Sequence, residues 1–150
     1  MTDLTHIADD LQDMRRVADH LLSGNVQMSG SWTPTYNGAT PGTTTYSTQS
    51  GYYIRIGRLV IAQADLTWTN ATGTGVVRLG GLPFTSASGI IVAFPVAQTN
   101  VTFANGSVYG LLQGGQTQAQ LFSPATNAAG TELTVEVAGT LRYTITYFTA

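Results

Sequence analysis

Residues 52–61 read YYIRIGRLVI and fix the class of the fold. Read as one continuous strand, this segment would place the charged Arg58 on the same face as Ile54 and Ile56. A two-residue turn at Gly57-Arg58 removes that conflict, because glycine at the first central position suits a type II′ hairpin. The turn sets a register in which four aliphatic side chains share one face, with two cross-strand pairs: Ile56 with Leu59, and Ile54 with Ile61.

The alternation continues beyond the hairpin. From Ala62 to Thr69, apolar residues alternate with polar ones, and together with Ile61 they give the second strand apolar character on both faces over part of its length. We expect a second sheet to cover one face and neighbouring subunits to cover the other. The same period predicts two further half-buried strands at residues 132–138 and 140–148.

The chain from residue 25 to residue 150 is predicted to form one all-β domain. It is rich in Thr, Gly, Ser, Val, Ile and Tyr, and turn residues recur at a spacing of about 8–12 residues, which is typical of an antiparallel sandwich or barrel. Its length permits a single core. The predicted strands are 26–36, 43–49, 51–56, 59–69, 75–79, 89–97, 100–104, 107–113, 117–122, 132–138 and 140–148.

Residues 1–24 are predicted to form an amphipathic coiled-coil helix. Seven of the fourteen charged side chains lie in the first 22 residues, and the apolar residues between them are spaced alternately three and four apart. This spacing is a heptad register with apolar a and d positions. Ser23-Gly24-Asn25 supplies the stop signal of the helix. The predicted seam consists of Leu4, Ile7, Leu11, Met14, Ala18 and Leu21.

The helix is predicted to associate with copies of itself as a parallel trimer. Asp10 at g and Arg15 at the following e are placed to pair between parallel neighbours. Apolar Val17 and Leu22 flank the seam and widen it beyond the needs of two strands, which favours three. A helix of this length is marginal alone in water, so its stability must come from a partner surface. The alternative is that it packs on its own β domain.

Composition and charge exclude several classes of function. The net charge is −2, with no lysine and no basic cluster, so nucleic acid is not an expected partner. No apolar run reaches the roughly 20 residues of a membrane span, and an acidic helix is unsuited to anionic lipid. With no cysteine and with both histidines, His6 and His20, on the helix, we expect no cofactor and no metal site in the β domain.

The polar groups available for binding are neutral. Amide and hydroxyl side chains are concentrated in residues 113–120 and in the loops at 70–75, 85–89 and 100–107. Next to aromatic rings, such groups bind sugars by stacking and hydrogen bonding. The alternative is that they serve turn geometry, strand propensity and core packing. The candidate glycan contacts are Trp32, Tyr36, Tyr109 and Gln113.

Carboxylates for catalysis are few in the β domain. Glu132 and Glu136 are four residues apart on the predicted strand, roughly 13 Å at about 3.3 Å per residue, which is too far for a glycosidase pair. Asp65 is expected to be an ordinary surface acid. We therefore expect no catalytic residues, although a depolymerase site assembled between subunits from Asp65 and one glutamate is an alternative.

Four segments of the chain resemble a module common in the fibres of tailed bacteriophages and in other virion surface proteins. They are residues 30–36 (GSWTPTY), 42–60 (GTTTYSTQSGYYIRIGRLV), 66–75 (LTWTNATGTG) and 81–86 (GLPFTS). The resemblance implies a trimeric β-sandwich knob, broadly like the jelly-roll trimers of complement-type and tumour-necrosis-factor-type proteins, on a virus surface. It implies no catalytic residues. Residues 100–130 fit none of its motifs.

The expected function is that of a bacteriophage structural protein. A trimeric tail fibre, head fibre or knob on the virion surface would bind other virion proteins and adsorb to host surface polysaccharide. One alternative is a capsid decoration protein that stabilises the particle without a receptor. The other is the glycan-degrading depolymerase with its site between subunits.

Overall fold

The computed structural model describes residues 4–22, 27–101, 107–125 and 128–150. Within these residues the chain forms one helix followed by ten strands, and the strands pair antiparallel. The prediction of an all-β fold with one N-terminal helix is therefore confirmed. The elements are α1 Leu4–Leu22, β1 Gln27–Trp32, β2 Thr35–Thr40, β3 Thr44–Ile56, β4 Leu59–Ala71, β5 Thr74–Gly80, β6 Ile91–Thr99, β7 Tyr109–Gln113, β8 Ala119–Ala125, β9 Ala128–Glu132 and β10 Gly139–Phe148.

The strands form two sheets that share β6. Sheet A has the order β1-β3-β4-β10 and ends on the second half of β6, whereas sheet B has the order β2-β5-β8-β7 and ends on the first half of β6. The strand changes sheets after Pro95, which pairs with Tyr109 in sheet B, whereas Val96 pairs with Tyr143 in sheet A. Proline lacks a backbone N–H and is suited to such a break in the ladder. β9 extends sheet B by pairing with β8.

The core lies between the two sheets. Alternate residues of β4 and β10 face inward from sheet A, and they meet alternate residues of β2, β5, β7 and β8 from sheet B. Tyr36 of sheet B stacks on Trp68 of sheet A with ring centroids 4.0 Å apart. The largest fully buried side chains include Trp68, Tyr36, Tyr147, Leu66, Leu79, Leu112, Leu121, Leu141 and Ile145.

The predicted hairpin at Gly57-Arg58 is confirmed in both turn and register. Ile56 pairs with Leu59, and Ile54 pairs with Ile61. Gly57 has φ 59°. Among the described residues, Asn100 is the one non-glycine residue with positive φ, so φ of Arg58 is negative. Positive φ at the first central position alone is the signature of a type II′ turn.

Two strand boundaries were predicted wrongly near the N-terminal edge. Predicted strand 26–36 is two strands, β1 and β2, because Thr33-Pro34 interrupts the ladder and Pro34 has no N–H to donate. Predicted strands 43–49 and 51–56 are instead one strand, β3. Gly51 lies within that strand, and the absence of a Cβ leaves room for the Trp32 indole, whose Nε1 is 2.5 Å from where a Cβ would lie.

Predicted strand 132–138 is also wrong. β9 ends at Glu132, and the next residues form an isolated bridge between Val76 and Thr134. The backbone N–H of Val77 donates to the Leu133 carbonyl, so the segment lies beside β5 instead of continuing a regular strand. Predicted strand 100–104 lies largely outside the described residues, as does the predicted helix boundary near residue 24.

Candidate functional site

The helix α1 presents an uncovered apolar stripe. Its described side chains, from residue 6 to residue 19, are all exposed, and Leu11 and Met14 are 52% and 64% exposed. The alternative in which the helix packs on its own β domain is therefore not the arrangement of this chain. Ala18, Asp10 and Arg15, which the predicted heptad register places in or beside the seam, are exposed as well. The side chains of Leu4 and Leu21 lie outside the description.

Charge pairs within one copy of the helix add little to its stability. Arg16 and Asp13 approach to 3.6 Å, but both side chains are more than three-quarters exposed. Exposed ion pairs of this kind contribute about 0–1 kcal/mol. This pair therefore contributes little to the stability of α1.

The outer face of sheet A carries a second uncovered apolar surface, which we call the hairpin patch. Inward residues of β4 have even numbers, so the odd-numbered residues and their cross-strand partners face outward. Ile54 lies opposite Ile61, and Ile56 and Phe148 both lie opposite Leu59. The patch consists of Tyr52, Ile54, Ile56, Leu59, Ile61 and Phe148, which are all exposed except the half-buried Leu59.

The outer face of sheet B is polar, and we call it the amide face. Asn37, Arg78, Gln120 and Leu111 form one row across β2, β5, β8 and β7, because each is the cross-strand partner of the next. Two cavities of about 230 Å³ and 410 Å³ open on this face, and both are lined by Arg78 and Gln118. The face therefore groups planar amides around one guanidinium.

A hydrogen-bonded chain orients two of these amides. The amide nitrogen of Gln120 donates to Glu132 Oε1 at 2.8 Å, and its oxygen accepts a bond of 3.3 Å from the amide nitrogen of Gln113. A carboxylate can only accept, so Gln120 must turn its NH₂ toward Glu132 and its carbonyl toward Gln113. These two hydrogen bonds orient the amide groups of Gln113 and Gln120 on this face.

The structure brings two of the four candidate glycan contacts to the amide face. Gln113 is exposed, and Tyr109 is half-buried beside Phe122, with the two rings stacked at a centroid distance of 5.7 Å. Both candidates face outward from β7, since Tyr109 pairs with Phe122 and Leu111 between them pairs with Gln120. They remain candidates for contact with a sugar.

The other two candidates are corrected, because both are core residues. Tyr36 has no exposed surface, and Trp32 is buried with its indole nitrogen donating to the carbonyls of Tyr52 and Gln63. Neither ring can stack on a sugar at the surface of this fold.

The carboxylates of the β domain do not form a cluster within a single copy of the protein. Asp65 lies on the outer face of sheet A, where Arg142 Nε approaches its carboxylate to 2.9 Å. Glu132 lies on the opposite face, in the amide chain. Glu136 follows β9 in a segment that is not a strand, so the predicted shared face of the two glutamates is wrong. Among the described residues no group of three or more His, Asp or Glu could hold a metal ion.

Buried tyrosine hydroxyls serve the fold. Burial raises the pKa of Tyr36 and of Tyr147 to about 12, and it also raises the pKa of Tyr143. Tyr36 Oη accepts the backbone N–H of Glu136, and Tyr147 Oη donates to the Phe84 carbonyl. These groups stay protonated at neutral pH and tie loops to the core.

Arg78 was not among the site residues predicted from the sequence. One local signal was present, because the apolar neighbours Val77 and Leu79 face the core and so direct Arg78 outward. Its neighbours Asn37 and Gln120 come from strands that are distant in sequence. The pattern within β5 does not reveal them.

No helix among the described residues is long and apolar enough to span a membrane. Comparison of the sequence with protein-family models finds no matching family. Comparison with curated proteins finds no match.

Proposed function

We propose that this chain is the subunit of a non-enzymatic, trimeric surface fibre or knob of a tailed-bacteriophage virion. In this proposal α1 forms a parallel three-stranded coiled coil, and the β domain is a jelly-roll-like knob that contacts host surface glycans. The observation that carries the proposal is the uncovered apolar stripe of α1. The viral context comes from the resemblance of four sequence segments to a module of bacteriophage fibres.

The energetics of α1 favour self-association. A free helix of 19 residues is marginal in water, and this one leaves Leu11 and Met14 in solvent. Burying one such side chain contributes about 1.5–3 kcal/mol. In a trimer every seam position would contribute once per chain, so the total exceeds any contribution from the exposed charges.

The hairpin patch also favours association with further copies of this chain. α1 leads into β1, the edge strand of sheet A, and the patch lies on the outer face of that sheet. A bundle of helices would therefore bring the adjoining sheets of its copies close together. Ile54 and Ile61 sit opposite each other on this face and are both exposed in the single chain.

The amide face supports the glycan contact. It is made mostly of neutral amides, with stacked Tyr109 and Phe122 beside them. Amides bond sugar hydroxyls as donors and acceptors, and aromatic rings offer an apolar surface to the pyranose. This face lies on the other side of the domain from the hairpin patch, so both surfaces can be occupied at once.

Sedimentation of the full chain at micromolar concentration tests the assembly. A mass three times 15.8 kDa is expected, and a monomer would overturn the proposal. Antibodies against the chain should label the surface of phage particles from the organism that encodes it.

Incubation with host cells and their polysaccharide tests the role. Adsorption without new reducing ends is the expected result. A trimer that labels capsids but does not adsorb would indicate decoration alone, and release of reducing ends would indicate a depolymerase.

A further inference from the structure

We propose that the two cavities around Arg78 bind a carboxylate-bearing sugar of the hexuronate type. The guanidinium would hold the carboxylate, and the surrounding amides would bind the hydroxyl groups. This inference rests on the glycan contact of the proposed function and adds to it the class of sugar and the residue that selects it.

Arg78 differs from the other arginines of the β domain in having no partner among the described residues. The residue is half-buried as a whole, no described carboxylate lies within ion-pair distance of its guanidinium, and no described oxygen accepts a hydrogen bond from it. A guanidinium carries five donors and no acceptor, so within the described residues its donors remain available to a ligand with acceptor oxygens. The other three are all engaged: Arg55 with the Gly57 carbonyl, Arg58 with the Thr149 carbonyl and Arg142 with Asp65.

The charge of the cavities points to an anionic ligand. Arg78 belongs to both cavities and is the one charged side chain among the described residues on their walls. Glu132 lies on the same face, but it is not on either wall, and Gln120 occupies one of its oxygens. The planar fork of an arginine matches a carboxylate in two parallel hydrogen bonds.

The remaining wall groups suit a sugar rather than a free carboxylate. Gln113, Gln116 and Gln120 line the smaller cavity, and Asn37 and Thr35 line the larger one. Amides and hydroxyls bond to the hydroxyl groups of a pyranose. The larger cavity, of about 410 Å³, falls in the size range of small-ligand sites. An oligosaccharide can therefore place one unit on each side of Arg78.

Calorimetric titration of the full chain with matched oligosaccharides tests this inference. The probes are a tetrasaccharide of alternating glucuronic acid and N-acetylglucosamine, a tetragalacturonate, and the carboxyl-reduced form of each. We expect at least one acid form to bind, about tenfold or more tighter than its reduced form. The affinity should fall as salt is raised, because the contact is charged.

Variants distinguish a specific contact of Arg78 with the probe from a general effect of positive charge on binding. Arg78→Gln should lower the affinity for the acid probe about tenfold or more. Arg78→Lys should lose less affinity, because lysine keeps the positive charge but lacks the planar fork of donors. Arg142→Gln removes an arginine from the opposite face and should bind like the wild type. Unchanged thermal unfolding of Arg78→Gln establishes that the fold is intact.

Two results would overturn the inference. One is equal affinity for acid and reduced forms, or for wild type and Arg78→Gln; the other is the absence of binding by both acid probes. Sedimentation and cell adsorption of the same preparations distinguish failure of the proposed function from failure of the role assigned to Arg78. A trimer that adsorbs to cells but binds the acid and carboxyl-reduced probes equally would agree with the proposed function and contradict the role of Arg78.

Discussion

Tyr36 and Trp68 stack across the interior with their ring planes 23° apart, and both bind the backbone of the same residue. The hydroxyl of Tyr36 accepts the N–H of Glu136 at 2.8 Å, and the indole nitrogen of Trp68 donates to the Glu136 carbonyl at 3.0 Å. The segment after β9 is thus fastened to both sheets at once. These contacts hold Glu136 against the core although residues 133–138 form no regular strand.

Replacing Tyr36 by Phe should lower the free energy of unfolding by about 1–2 kcal/mol, because it leaves the Glu136 N–H without its acceptor in a partly buried position. Urea denaturation measures the loss. Tyr52→Phe is the matched control, since the Tyr52 ring is 66% exposed and its variant should unfold like the wild type. Equal stability of the two variants would show that the hydroxyl of Tyr36 does not fasten the segment.

Stability should fall above pH 10. Burial raises the pKa of Tyr36 and of Tyr147 from 10.0 to about 12 in the folded chain, and it raises that of Tyr143 as well. Between these values the unfolded chain releases protons that the folded chain retains, so the free energy of unfolding decreases as pH rises. Below pH 10 both states are protonated and this contribution is constant.

Denaturation at a series of pH values checks that slope. Tyr143→Phe removes one of the three groups and should flatten the slope above pH 10 by at most about 1.4 kcal/mol per pH unit. A slope that is the same in Tyr143→Phe and the wild type would mean that Tyr143 ionises alike in the folded and unfolded chains.

The hairpin turn depends on the positive φ of Gly57. Gly57→Ala should cost about 1–2 kcal/mol, because a Cβ is strained at φ 59°. Gly57→Asn should cost less, since asparagine tolerates this region better. Thermal unfolding of both variants is the measurement, and equal stability of Gly57→Ala and the wild type would contradict the type II′ geometry.

The parts of the fold that local chemistry determines could be predicted from the sequence. The turn at Gly57-Arg58 follows from glycine and from the aliphatic pairs on either side of it, and the strand at 140–148 follows from its period of two. The boundaries that depend on distant partners could not be predicted. Residues 132–138 alternate like a strand, but the Leu133 carbonyl pairs with Val77 and the segment leaves the ladder.

The candidate site shows the same division. Strand propensity does not show whether an aromatic residue faces the core or the solvent, so the sequence did not separate buried Tyr36 from half-buried Tyr109. Arg78 becomes a candidate only when β5 is placed between Asn37 of β2 and Gln120 of β8. Those pairings are long-range and leave no local pattern.

Leu11→Asp should convert the expected trimer to monomer or to a mixture. Each buried Leu contributes about 1.5–3 kcal/mol, and the substitution also places a charge in the seam of every chain. Gln12→Asp adds the same charge one residue along, at an outward position, and should leave the mass unchanged. Light scattering measures both, and a trimeric Leu11→Asp variant would refute the seam.

Ile54→Lys tests whether the hairpin patch belongs to the same interface. Ile54 is 42% exposed in the single chain, so the substitution should change the unfolding of the domain by no more than about 0.5 kcal/mol. If copies meet on this face, a lysine there must be desolvated, and dissociation should occur at higher protein concentration than in the wild type. Sedimentation across a dilution series measures this shift.

The matched control is Ala93→Lys, which introduces the same charge at an exposed position on the outer face of sheet B. It should dissociate like the wild type, because that face is left to solvent and ligand in the proposed assembly. Identical dilution behaviour of Ile54→Lys and Ala93→Lys would mean that the helices alone hold the copies together. In that case Ile54 and Ile61 would remain exposed in the assembled trimer, and the hairpin patch would not belong to the interface between copies.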